Sequence, residues 1–112
     1  MPFVNVKISK KLAPEMKTEL KADLGSAIAL FPGKSESWLM CNIEDEKDMF
    51  FQGKAGDCAF IEVKLFGSVS ETASDRFTAE MCRLMGNYGI PANRVYVRYE
   101  GGSLWGWNGG NF

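Results

Sequence analysis

Apolar and polar positions alternate at two places in the chain that lie 57 residues apart. Phe3-Val4-Asn5-Val6-Lys7-Ile8 falls on Phe60-Ile61-Glu62-Val63-Lys64-Leu65 with apolar, polar and lysine positions in phase. Alternation of period two marks a half-buried strand. Continued without a gap, the same offset lays Leu20, Leu24, Ala27, Ile28 and Phe31 on Phe77, Met81, Leu84, Met85 and Tyr88. That spacing puts all five residues of each set on one helical face. Pro32-Gly33 ends the first helix, and Gly89-Ile90-Pro91 follows the second. The offset then lays Trp38–Ile43 on Val95–Glu100 as a second pair of strands.

The unit is therefore β-α-β, used twice, over about residues 2–45 and 59–100 with a turn-rich segment Met49–Asp57 between them. A crossover helix makes the strands it joins parallel. The expected fold is a single α+β (two-layer α/β) domain over residues 1–112, with a four-stranded mixed sheet carrying two helices on one face. With Val4, Val6, Ile8, Ile61, Val63 and Leu65 toward the helices, Phe3, Phe60 and Phe66 point the other way. Val95, Val97 and Tyr99 inward leave Tyr96 and Arg98 outward, and the ungapped repeat places Leu39, Cys41 and Ile43 outward too. A half-apolar uncovered sheet face implies an association surface, and the expectation is an obligate oligomer. The alternative cover is the Gly-rich tail Gly101–Phe112, whose Trp105 and Trp107 alternate around Gly106 as in a short strand.

Composition narrows the chemistry. The 112 residues carry 13 Lys+Arg, 14 Asp+Glu and no His, which excludes His-based triads and His-ligated metals. Near-neutral charge without a basic stripe excludes nucleic acid as a main partner. There is no run long and apolar enough for a membrane span and no signal-peptide h-region, so the expected location is cytoplasmic, with any secretion independent of a signal peptide. Cys41, Cys58 and Cys82 are odd in number and widely spaced, and are expected as reduced thiols. Gly33-Lys34-Ser35 lacks the earlier glycine of a phosphate loop and follows a helix rather than opening one. The acidic run Glu44–Asp48 lacks the calcium-loop pattern and is expected as a solvated strand end, and Cys58 has Ile61 where a C-x-x-C pair needs a thiol. No metal site is expected.

Pro2 differs from these. A small second residue permits removal of Met1, which leaves a secondary amine at Pro2. An α-amino group titrates at about 8, and burial or a neighbouring cation such as Lys34 favours its neutral form. In a chain without His, this is the group best suited to act as a general base near neutrality.

These residues resemble the macrophage migration inhibitory factor family, which includes D-dopachrome tautomerase, within the tautomerase superfamily built on an amino-terminal proline. The similarity runs the length of the chain: Met1-Pro2-Phe3, Gly33-Lys34, Cys58-Ala59-Phe60, Pro91-Ala92-Asn93-Arg94-Val95-Tyr96, Gly106-Trp107-Asn108 and Phe112. The resemblance implies a homotrimer whose sheets enclose a channel, with pockets between subunits. It implies keto-enol tautomerisation of phenylpyruvate- or dopachrome-like substrates, catalysed by Pro2 without a cofactor. Lys34 and the Phe66 backbone amide would bind the substrate carboxylate. Tyr96, from the neighbouring subunit, would border the site, with Phe3, Trp38, Phe66, Trp105, Trp107 and Phe112 as further substrate-binding walls. Arg98 stands where the macrophage factor has an asparagine and could grip a carboxylate with both nitrogens. Phe66 and Trp105 replace smaller aliphatic residues, which implies a narrower pocket. Cytokine-like binding to a cell-surface receptor is the alternative role the resemblance implies.

Overall fold

In the computed structural model, which describes residues 1–112, the first alternating segment forms β1 (Pro2–Ile8). Pro2, Val4, Val6 and Ile8 are buried, and the residues between them are partly exposed. Helix α1 (Pro14–Ala27) opens on Pro14, where a missing N–H costs nothing because the first turn has no intrahelical acceptor for it. A tight helical turn, Ile28–Leu30, finishes it. The chain then reverses through Gly33, whose φ of 77° favours glycine. Strand β2 (Met40–Glu44) follows, then a hairpin of β3 (Phe50–Phe51) and β4 (Lys54–Ala55) within the turn-rich segment.

The second unit repeats the first. Strand β5 (Ala59–Leu65) leads to α2 (Glu71–Gly86), where the Ser70 hydroxyl accepts the Ala73 N–H at 3.2 Å as a helix cap. Strand β6 (Val95–Glu100) closes the unit, and the tail folds into a hairpin of β7 (Gly106–Trp107) and β8 (Gly110–Asn111). The main sheet has the order β2-β1-β5-β6. Both crossovers are parallel, and the two units meet antiparallel at β1 and β5. The expected four-stranded mixed sheet with two helices is what the chain forms.

One core of 20 buried residues fills the space between sheet and helices. All ten residues of the two helical stripes lie in it. Each large apolar side chain so buried stabilises the fold by about 1.5–3 kcal/mol. Phe31, Phe77 and Tyr99 form an aromatic cluster, with Phe31 and Phe77 centroids 5.2 Å apart. The Tyr99 hydroxyl donates to the Ser74 carbonyl at 2.8 Å and lies 2.7 Å from the Thr78 hydroxyl, which ties β6 to α2.

The register corrects one expectation. Phe3 pairs with Met40 on β2, whereas its repeat counterpart Phe60 pairs with Tyr96 on β6. Met40 therefore corresponds to Tyr96, an offset one residue shorter than in the first half of the repeat. A slip of one residue exchanges the faces of a strand. Leu39, Cys41 and Ile43 consequently pack against the core instead of facing outward, and Met40, Asn42 and Glu44 share the outer face with Phe3, Asn5 and Lys7. The outer face is more polar than expected. Asn42 donates to Asn5 at 3.0 Å, Asn5 donates to Glu62 at 3.2 Å, and Lys7 pairs with Glu62 at 3.3 Å.

The acidic run is also more than a solvated end. The Asp45 carboxylate accepts the Leu12 N–H at 2.8 Å and lies 3.0 Å from Lys17 Nζ, which pins the segment before α1 to the end of β2.

Candidate active site at the amino terminus

Pro2 is buried at the start of an interior strand, with β2 on one side and β5 on the other. A cleft of about 550 Å³ opens over it, lined by Met1, Pro2, Phe3, Ser37, Trp38, Leu39, Met40, Lys64, Trp105, Gly106 and Trp107. The walls come from four parts of the chain, β1, the segment Ser37–Met40, Lys64 of β5 and the tail. Trp38 is delivered by the loop between α1 and β2, and Trp105 and Trp107 by the tail. Trp38 and Trp107 meet edge to face with centroids 5.1 Å apart, an arrangement in which the positive edge of one ring meets the negative face of the other. The tail is docked by a two-bond bridge: Gly67 N–H donates to the Gly102 carbonyl at 2.7 Å, and Gly102 N–H donates back at 2.9 Å.

Beside the cleft stands a second group of the residues singled out from the sequence. Lys34 Nζ donates to the Phe66 carbonyl at 2.9 Å and lies 5.8 Å from the centre of the Phe66 ring. The Phe66 and Phe112 rings are tilted against each other at 5.1 Å. The Phe66 N–H donates to the Met1 carbonyl at 3.0 Å. Burial, then the charge of Lys34 and a hydrogen bond from it, lower the terminal amine of Met1 below its ordinary value. Each cause disfavours the ammonium form.

Tyr96 and Arg98 lie elsewhere in the chain. Both are on β6, which is separated from β1 by β5, and the register sets Tyr96 level with Lys7 and Arg98 level with Asn5, so their backbones stand roughly 19 and 14 Å from Pro2 at a strand spacing of ~4.8 Å and a rise of ~3.3 Å per residue. Tyr96 is 63% exposed, and its ring packs edge to face on Phe51 of the hairpin at 5.1 Å. Arg94 fastens that hairpin by donating to the carbonyls of Asp57, Phe51 and Lys54. Arg98 donates to the Tyr99 carbonyl and borders a groove with Glu62, Lys64 and Glu100.

Sequence reasoning missed Lys64, Met40 and Ser37 as cleft residues. Lys64 was legible as an outward strand position, but its place beside Pro2 follows from the pairing of Phe3 with Lys64 across β1 and β5. Met40 was hidden by the register slip.

The family model for macrophage migration inhibitory factor matches residues 1–112. A macrophage migration inhibitory factor of Xenopus laevis is 28% identical over 96 residues, covering 83% of this chain and 84% of its relative. The crystal structure of Leishmania major MIF2 superposes with a TM-score of 0.92 at 30% identity, covering 100% of this chain and 97% of that one. The homologue from Prochlorococcus marinus gives 0.81 at 28% identity, with 98% of each chain covered. Sequence and fold agree over the full length, and the chain belongs to the macrophage migration inhibitory factor family.

Proposed function

We propose that the chain, with Met1 removed, is a cofactor-independent keto-enol tautomerase acting on phenylpyruvate- or dopachrome-like substrates, with Pro2 as general base. The observation that carries this is the contact between Met1, Phe66 and Lys34. While Met1 is present, the Pro2 nitrogen is an amide without basicity and the Phe66 N–H is occupied by the Met1 carbonyl. Removal of Met1 makes that nitrogen a secondary amine and frees the backbone donor beside the Lys34 ammonium. Base and carboxylate-binding groups then lie at one end of an aromatic cleft, an arrangement suited to a planar 2-oxo acid.

In the reaction, the neutral Pro2 nitrogen takes a proton from the carbon next to the substrate carbonyl. The C–H electron pair becomes the C=C bond, the carbonyl π pair moves to oxygen, and that oxygen takes up a proton. The base returns its proton to water, so the enol has the composition of the keto acid and no redox partner is needed. Trp38, Trp105, Trp107, Phe66 and Phe112 provide apolar contacts for the substrate ring. Tyr96 and Arg98 reach this site only from a neighbouring copy, which supports a homotrimer in which each cleft is completed across an interface.

The test is the absorbance change of phenylpyruvate and of dopachrome methyl ester with native protein and Pro2→Gly, after intact mass confirms the loss of Met1. The expected outcome is turnover by the native protein and a loss of about 100-fold or more in the variant. Equal rates would overturn the assignment of Pro2, and no turnover by the processed native protein would overturn the tautomerase assignment.

A further inference from the structure

Lys64 is the only charged side chain among the residues lining the Pro2 cleft. It lies on the outer face of β5, paired with Phe3 across β1 and with Glu100 across β6. Its one ionic partner is Glu100, at 3.8 Å, and the two side chains are 47% and 65% exposed. A pair this long and this exposed holds its ammonium weakly. The neighbouring acid Glu62 is already engaged by Lys7 and Asn5. Lys64 thus borders the cleft with little to keep its charge from a ligand.

Lys34 serves the same site from a different direction. It sits at the Phe66 carbonyl, just beyond Leu65, which pairs with Pro2. Lys64 precedes Leu65 on the same strand, so the Pro2–Leu65 pair is flanked by Lys64 on one side and by the Phe66 carbonyl that holds Lys34 on the other. One cation suffices for the carboxylate of a simple 2-oxo acid. The second lines the cleft over Pro2 itself, on the strand position paired with Phe3, the residue after Pro2.

We infer that Lys64 is a specificity-determining residue that selects 2-oxo acids bearing a second anionic group within a carbon or two of the reacting carbon; this rests on the tautomerase assignment above. In this arrangement the 2-oxo carboxylate takes Lys34 and the Phe66 N–H, and the second anion takes Lys64 in place of Glu100. Glu100 therefore competes with the substrate for Lys64, and removing its charge strengthens binding.

The experiment compares the ketonisation of enol-oxaloacetate with that of phenylpyruvate, using the Met1-processed full chain, Lys64→Gln and Glu100→Gln. Lys64→Gln is expected to raise KM for oxaloacetate about tenfold, the loss of one charge-assisted contact, with phenylpyruvate changed less than about twofold. Glu100→Gln is expected to lower KM for oxaloacetate several-fold and leave phenylpyruvate alone. Equal effects on both substrates, or no effect on either, would overturn the inference. Quenching of the cleft tryptophans by oxaloacetate against pyruvate provides a readout independent of turnover. If the native protein is inactive yet binds oxaloacetate in a Lys64-dependent way, the anion subsite stands and the tautomerase assignment fails. Lys64-independent quenching would overturn the subsite.

Discussion

At the scale of single residues, Lys34 has two effects that kinetics can separate. Its charge disfavours protonation of the terminal amine beside it, an influence second to burial at Met1. The same two causes acting on the proposed Pro2 base would lower it from the ordinary α-amino value of about 8. Activity should then rise with pH through a depressed inflection and level off above it, because only the neutral amine accepts a proton. Lys34→Ala removes the depressing charge and its hydrogen bond and should move the inflection of kcat/KM upward, while KM for phenylpyruvate rises about tenfold for the lost carboxylate contact. A pH profile that keeps its inflection in Lys34→Ala would refute the electrostatic part.

Asp45 acts on stability instead. The Leu12 N–H, and after it Lys17, hold its carboxyl below the usual carboxylate range. A carboxyl depressed in the folded state contributes stability that is present above its unfolded pKa and is lost as pH falls through the folded one. Asp45→Asn should therefore lower the urea midpoint at about pH 7, and the gap from native protein should be smaller at about pH 3, below the unfolded value of about 3.9. A gap of the same size at both pH values would argue against the charged contact. Cys41 shows the same dependence on placement, since burial pushes its thiol up, in keeping with its inward position on β2.

At the scale of elements, the α-helical stripes and the alternating strands were legible in the sequence because each periodicity is a local property of the chain. The orientation of β2 was not. One residue fewer separates α2 from β6 than an exact repeat of the first unit would require, and side-chain period two turns that single residue into a complete exchange of faces. Only the pairing with β1 discloses it. The tail likewise gave its strand-like alternation to sequence reasoning, but its docking depends on the bridge between Gly67 and Gly102. Gly101 sits where an added Cβ would come 2.5 Å from the Gly67 carbonyl oxygen, closer than Cβ and oxygen pack, and the obstacle is backbone that cannot swing away. Gly101→Ala should displace the tail and with it Trp105 and Trp107. The expected result is a KM for phenylpyruvate raised several-fold with the thermal midpoint lowered by about 4–8 °C, as for a loss near 1 kcal/mol in a domain of this size. An unchanged KM would show that the tail walls are dispensable.

At the scale of the whole molecule, the tail tryptophans stand over only the Phe3–Met40–Lys64 end of the sheet's outer face. Tyr96 at 63% exposed and Phe50 at 72% exposed lie outside the core, and the row Asn42-Asn5-Glu62 crosses the sheet as a hydrogen-bonded ladder. A ladder of this kind accepts water on its free side, whereas exposed aromatic rings favour contact with another surface. The proposed trimer reconciles the two, with polar sheet faces around a channel and aromatic edges at the interfaces. Sedimentation should give a mass three times 12.4 kDa at micromolar concentration, and Tyr96→Ala should weaken both assembly and turnover. A stable monomer that still turns over substrate would sink the shared cleft.

The sequence by itself determined the doubled β-α-β frame, the inward faces of β1, β5 and β6, the two helical stripes and the candidacy of Pro2. All of these follow from local periodicity, or from the chemistry of a residue type in a chain without His. The tertiary structure alone decided the orientation of β2, the polar character of the outer face, the meeting of Lys34 with the Phe66 carbonyl and the place of Lys64 beside Pro2. Each depends on which residue lies opposite which across strands that are distant in the chain, and hydrogen-bond register, not periodicity, sets that.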